Sequence, residues 1–263
     1  MRAKIFNLEG KEIGTVDLPE VFMTPFRPDV IKRAVIAIQS HRLQPKSRDP
    51  YAGKRTTAES WGVGYGLARV PRSSTGRAKF APGTLGGRLA HPPTVEKKIY
   101  KKIPKKERRL ALFSAIAATA RKEIVAARGH LIDSIPEIPL IVTDDLEKVE
   151  KIKDLKMIFM KLGVWPDIER VINSINVRSG KGKMRGRRLK RAIGPLIVVS
   201  EGNGIFKAAR NLPGVDVVKV KDLNPELLAP GAHPGRFTIW TNSSIESLRN
   251  MSLVKGVSVL GIT

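Results

Sequence analysis

The sequence predicts an α/β fold: a mainly parallel sheet covered by helices, a Rossmann-like three-layer body, with a long extended internal loop and a second basic loop. Two observations predict it. Past residue 139, apolar runs of strand length alternate with helical stretches, the order expected of parallel strands joined by crossovers. Charge, in turn, is confined. The net charge is +24, yet residues 40–109 hold 18 Lys/Arg against 4 acids and residues 176–195 hold 8 against none. The other 173 residues carry 22 basic and 20 acidic side chains. A nearly neutral body therefore bears two cationic appendages. Such a density repels itself unless a polyanion supplies the counter-charge, and nucleic acid is the abundant cellular polyanion.

Residues 3–8 and 12–18 alternate apolar and polar side chains around Glu9-Gly10-Lys11, a β-hairpin pattern. Pro28 opens a helix whose apolar stripe (Val30, Ile31, Ala34, Val35, Ile38) ends near Leu43. Pro104 starts a second, predicted to run to about Arg128 on a broad apolar face from Leu110 to Val125, with Gly129 closing it. Buried strands are expected at 140–142, 196–199, 215–220 and 237–240. Helical segments are expected near 146–152, 155–162, 166–175 and 205–210. A last helix begins near Asn242, where Ser243 and Glu246 have capping-box spacing.

Residues 44–103 break every pattern with six prolines and eight glycines. A structureless excursion of this length is either disordered or functional. Its cations are dispersed among glycines, prolines and single aromatics (Tyr51, Trp61, Tyr65, Phe80) rather than ranged along a helix face. Gly lets a backbone approach phosphates, Arg forks bridge phosphate oxygens, and isolated aromatics stack on bases. A solvated linker is the ordinary alternative, but a linker has no use for those aromatics. Extended backbone spans about 3.3–3.6 Å per residue, so a strand going out and back reaches on the order of 100 Å. That suits penetration into a large partner.

The second basic stretch, residues 176–194, lies between a helix and a strand and is expected to project from one end of the sheet. Its core, Ser179-Gly-Lys-Gly-Lys-Met-Arg-Gly-Arg-Arg-Leu-Lys-Arg191, reads as a phosphate-fitted loop contacting backbone rather than bases. A localisation signal or a solvated face is the plainer reading.

Chemistry is otherwise scarce. No cysteine is present, so disulfides and thiolate sites are excluded. The start of the chain lacks a signal-peptide core, and no run reaches the roughly 18 apolar residues of a membrane helix; a cytosolic location is expected. Two glutamines and abundant Lys and Glu fit a heat-adapted source. Ser200-Glu-Gly-Asn-Gly204 sits where a dinucleotide fingerprint would, with Asp222 a loose ribose partner, but Lys207 stands at the third glycine. An ordinary Gly-containing β–α turn is the better reading. His41, His91, His130 and His233 lack metal-ligand spacing, and Asp144 or Asp145 reads as a helix cap. Neither a cofactor nor a catalytic site is expected.

Several long segments then match a known family in order: Phe26-Arg-Pro-Asp-Val-Ile-Lys-Arg-Ala-Val; Arg55; Ser60-Trp-Gly-Val-Gly-Tyr-Gly-Leu-Ala-Arg-Val-Pro-Arg72; Ala81-Pro-Gly-Thr-Leu-Gly-Gly-Arg-Leu-Ala-His-Pro-Pro93; and Lys101-Lys-Ile-Pro-Lys-Lys-Glu-Arg-Arg-Leu-Ala-Leu-Phe-Ser-Ala-Ile-Ala-Ala-Thr-Ala120. With the basic insertion at 178–191 and Thr238-Ile-Trp-Thr-Asn-Ser-Ser-Ile-Glu-Ser-Leu, the chain resembles large-subunit ribosomal protein four in its archaeal and eukaryotic form. The resemblance covers essentially the whole chain. It implies a single α/β domain whose loop 44–103 threads into large-subunit rRNA and reaches the peptide exit tunnel, beside neighbouring ribosomal proteins and the nascent peptide.

On that resemblance the tunnel tip falls at 64–77, with Gly64, Gly66, Arg69 and Arg72 at the wall. Arg42, Lys46, Arg48, Lys54, Arg55, Lys79 and Arg88 line the stem against phosphates. Trp61, Tyr65 and Arg77 join the RNA-binding set, as do Arg178, Lys181, Lys183, Arg185, Arg187, Arg188, Lys190 and Arg191 in the second stretch. Ser73-Ser74-Thr75 replaces a tip that is more Gly-rich in relatives. The rival functions are an RNA-modifying enzyme holding a cofactor at 202–204 and an RNA chaperone outside the ribosome.

Overall fold

A computed structural model describes residues 1–254. Its contacts divide into two units: residues 1–38 with those from 102 onward, and residues 39–101.

The first unit is built on β1 (Arg2–Phe6), β2 (Glu12–Asp17), α1 (Pro28–Ser40), α2 (Lys105–Thr119), α3 (Lys122–Ala127), β3 (Leu140–Val142), α4 (Ile152–Lys161) and α5 (Trp165–Asn173). It continues with β4 (Asn176–Val177), β5 (Leu189–Lys190), β6 (Leu196–Val199), α6 (Asn203–Ala209), β7 (Asp216–Lys219), α7 (Pro225–Leu228), β8 (Thr238–Thr241) and α8 (Asn242–Val254). Among the described residues the main sheet has six strands in the order β2-β1-β3-β8-β6-β7. β1 and β2 form the expected antiparallel hairpin, and every other neighbour pair is parallel. The prediction of a mainly parallel α/β sheet holds.

Strand periodicity decides where side chains go. Leu140 and Val142 join one apolar cluster with Ile197, Val199 and Ile239, packed against Leu155 and Phe159 of α4 and Ile168 of α5. Their alternates Ile141, Leu196, Val198 and Trp240 join a second cluster with Ile31 and Val35 of α1 and Ile116 of α2. Strands buried on both faces need continuous apolar sequence, and Leu-Ile-Val and Leu-Ile-Val-Val supply it. Phe22 meets Trp240 edge to face at 5.5 Å.

Four expectations need correction. The helix predicted to run unbroken to 128 is two helices. Thr119 Oγ1 donates to the Ile116 carbonyl, Ala120 N–H bonds the Ala117 carbonyl three residues back, one residue tighter than the α-helical ladder, and Arg121 is extended (φ −99°, ψ 109°). A hydroxyl that competes for a ladder carbonyl weakens the turn that follows it. Residues 144–148 form a 3-10 turn, and α4 starts only at Ile152. Ser243 lies inside α8 instead of capping it, and its N–H bonds Asp144 Oδ1 at 2.8 Å. That carboxylate therefore caps a helix 99 residues away, not the turn that follows it.

Candidate nucleic-acid interface

In residues 39–101 the backbone is fixed by turns and two isolated bridges, Glu59–Arg72 and Arg72–Ala78. The ends of the segment meet each other. Ser40 Oγ accepts from Lys101 N–H at 3.0 Å, His41 Nε2 lies 3.2 Å from Lys101 O, and the His41 and Tyr100 rings stack 3.9 Å apart. Further in, Arg48 N–H bonds Pro93 O, tying the outgoing strand to the returning one, and Arg88 N–H bonds Phe80 O within the returning strand.

Gly53 is required twice over: its φ is +78°, and an added Cβ would stand 2.5 Å from the backbone of Gly87 and Arg88. This close approach shapes a cleft of about 350 Å³ lined by Tyr51, Arg55, Arg77 and Lys79. Three predicted cations and a predicted aromatic thus come together. Arg55 lies over the Tyr51 ring and pairs with Asp49, and that pairing with the Tyr51 N–H holds the Asp49 carboxyl below its ordinary value.

At the tip, Trp61 and Tyr65 rings lie 5.9 Å apart, and Gly64 and Gly66 take φ of +95° and +62°. Arg72 turns inward: Nη1 donates to Gly76 O at 2.8 Å and Nη2 to Ala68 O at 3.4 Å. Its backbone pairs both ways with Glu59. Ser73, Ser74 and Thr75 make the turn beyond it, with Ser73 N–H on Arg77 O and Gly76 N–H on Ser73 O. Arg69 stays exposed.

No residue between Ser40 and Ala111 is buried. Large apolar side chains stand in the open, Leu85 at 82% and Val63 at 74% exposed, with Tyr51, Trp61 and Tyr65 also exposed. Among the described residues, no acid pairs with Lys46, Lys54, Arg69, Arg77, Lys79 or Arg88. Folding this segment therefore neither buries its apolar groups nor neutralises its charge.

The second basic stretch is a two-stranded ribbon of β4 and β5 joined through a 3-10 turn at Lys181–Arg185. Arg178 staples it, with N–H on Arg188 O at 2.8 Å and Nε on Arg187 O at 3.1 Å. The other cations, Lys181, Lys183, Arg185, Arg187, Arg188, Lys190 and Arg191, are exposed or half-buried and lack a paired acid. Met184 is 76% exposed at the turn.

Two groups of functional interest escaped the sequence reading. Lys105 and Lys106 occupy the first turn of α2, where the helix dipole repels cations. Charge of that sign at that position was a legible signal. The other is Glu147, in the 3-10 turn after β3. Its carboxylate accepts from Ser200 N–H (2.9 Å), Gly202 N–H (2.9 Å) and Thr241 Oγ1 (2.8 Å). Burial alone would raise its pKa, but these donors hold it below the ordinary 4.5. The amide cradle after β6, where a nucleotide phosphate would sit, is thus filled by the protein's own carboxylate.

A profile of the ribosomal protein L4/L1 family matches residues 16–251. The chain belongs to that family. It is 52% identical over 249 residues to the large ribosomal subunit protein uL4 of Archaeoglobus fulgidus, covering 94% of this chain and 98% of the relative. Its identity to the uL4 of Sulfurisphaera tokodaii is 52% over 250 residues, covering 94% of each chain. For Methanopyrus kandleri uL4 the figures are 49% over 254 residues, 94% and 98%. The family resemblance drawn from the motifs therefore holds along nearly the full length, and these relatives make up a structural family rather than an enzyme family. Among the described residues no helix is long and apolar enough to cross a membrane.

Proposed function

We propose that this family member is a structural constituent of the large ribosomal subunit, residing in the cytoplasm within the ribosome, and that residues 44–103 and 176–194 bind large-subunit rRNA. The body, read as a three-layer Rossmann-like platform, anchors both; the two helices that flank the longer loop fix its ends. The observation that carries the proposal is the pairing of exposed large apolar groups with cations that meet no acid, Lys46, Lys54, Arg69, Arg77, Lys79 and Arg88, within 44–103. A solvent-facing loop gains nothing from either. Stacked bases cover the first and phosphates neutralise the second, and ordering of the segment is then offset by those contacts. Lys105 and Lys106, in the first turn of α2, are further cations for the same partner.

By the family resemblance, Gly64, Gly66 and Arg69 form the tip that lines the nascent-peptide exit tunnel. Arg72 has a different part there: with its fork on Gly76 and Ala68, it holds the tip's shape. Neighbouring large-subunit proteins and the nascent peptide complete the partners, and the ordered loop supports assembly of the rRNA around it. The enzyme reading fares worse, because a cofactor phosphate at 202–204 would have to displace Glu147.

The test combines binding and exchange. The purified chain should bind large-subunit rRNA with an affinity that falls steeply as salt rises, and amides of residues 51–80 should gain protection from hydrogen exchange only in the complex. Affinity indifferent to salt, or full protection of those amides in the free chain, would sink the proposal.

A further inference from the structure

The body holds a cationic cleft that neither the loop nor the ribbon accounts for. It has a volume of about 480 Å³, and its lining includes Arg128, Arg170, Arg191 and His233, with Ala127 and Pro234, but no acid. Arg128 follows α3 and donates through Nη2 to Pro230 O at 3.0 Å. Its Nη1 is buried and meets no acceptor. Arg170 is held in place by Asp167, Nε to Oδ1 at 2.9 Å, and by Ile193 O at 2.9 Å from Nη2. Asp167 has nothing further to offer the cleft, since its oxygens also accept from His130 and the Leu131 N–H. Burial, with Arg236 and Arg170 nearby, pulls the Arg128 pKa down to about 10.

Crowded guanidiniums with no acid among the lining residues cost stability, and an anion in the cleft relieves that crowding. Arg191 says which anion. It directly follows β5, so it carries the ribbon's cationic surface onto the body, and it also lines a neighbouring cleft with Lys207 and Arg210. We infer that the cleft seats one phosphodiester group of an RNA strand passing from the ribbon onto the body, with the Arg128, Arg170 and Arg191 side chains around it. This inference rests on the RNA-binding reading given above.

The experiment is a salt titration of rRNA affinity with the full chain in four forms: unaltered, Arg128→Met, Ala127→Glu, and the ribbon variant Arg185→Ala/Arg187→Ala/Arg188→Ala. Ala127 is exposed at the end of α3, so a glutamate there removes no contact and puts a rival carboxylate at the cleft. It decides the matter if Arg128→Met fails to fold. Each phosphate contact contributes about 0.7–0.9 to the slope of log affinity against log salt. The two cleft variants should each lose about one contact's worth of slope, and the ribbon variant more. A ribbon variant with reduced slope beside cleft variants at the unaltered slope overturns the cleft assignment and leaves RNA binding standing. An unaltered slope in all three overturns the cleft assignment together with the ribbon's share of RNA binding, while salt-indifferent affinity of the unaltered chain overturns the RNA reading itself. In a parallel arm, inorganic phosphate is titrated while the Arg170 Nε–Hε resonance is followed. Saturable shifts with no slope change in either cleft variant would make the cleft a site for free phosphate, which also overturns the inference.

Discussion

Arg236 shows how much one side chain can organise. Its guanidinium is almost fully buried and donates to the carbonyls of Gly194, Leu227 and Gly214 at 2.9–3.1 Å and to Asp216 Oδ2 at 2.6 Å. Arg236→Met keeps the stem but takes the guanidinium donors from the Gly194 and Leu227 carbonyls, whereas Gly214 O keeps its bond from Gly194 N–H and half-exposed Asp216 turns to water. Leaving buried acceptors without a donor costs about 1–3 kcal/mol. Urea unfolding should show that loss, with rRNA affinity per folded molecule unchanged. A second residue-scale prediction concerns acid. Burial keeps His130 neutral below its ordinary 6.5, and the Asp167 contact opposes this only in part. Burial would raise Asp167, but His130 and Arg170 hold it below 3.8, and Glu147 lies below 4.5. All three pKa values are depressed on folding, so the unfolded chain takes up protons first and stability falls with pH. The decline should begin below pH 6.5 through His130 and steepen below 4.5 through the carboxylates. Urea midpoints measured from pH 8 to 4 check this, and His130→Gln should remove the upper part of the slope.

Elements differ in how openly the sequence announces them. β3, β6 and α1 were legible because apolar runs and a 3, 4, 7 stripe each have one packing solution. The break at Arg121 was not, because the apolar period continues across it and only the Thr119 hydroxyl marks it. The cap on α8 was hidden by 99 residues of separation. Arg128, Arg170 and Arg236 were hidden for another reason: a buried arginine reads like a surface one until its neighbours are known. The loop cations were legible because they lack nearby acids, though which of them meet was not. That depends on turns such as the one at Gly53. Gly53→Ala forces a Cβ at positive φ into the backbone of Gly87 and Arg88, a strain of about 1–3 kcal/mol. Since no core cluster includes a residue of 39–101, the thermal midpoint of the body should stay put. The affinity for rRNA should fall about tenfold, corresponding to about 1.4 kcal/mol.

For the molecule as a whole, the two units differ in what stabilises them. The sheet and its helices bury two apolar clusters around continuous strands, enough for cooperative folding without a partner. Residues 39–101 add exposed apolar surface and charge. Replacing 44–100 by a short flexible linker should therefore leave a cooperatively unfolding body with a thermal midpoint within a few degrees of the full chain's. The same variant should lose most of its salt-dependent rRNA affinity. A body that fails to fold would show that the loop helps to build the core.

The stack of His41 on Tyr100 sets the terms on which this loop can vary in length. Where the two ends of an excursion are already clasped, each doubling of its contour costs only about 0.6 kcal/mol in closure entropy. Insertions and deletions beyond the clasp are thus almost invisible to the folding equilibrium. On the function proposed above, what limits the length is the depth of the channel in rRNA that receives it.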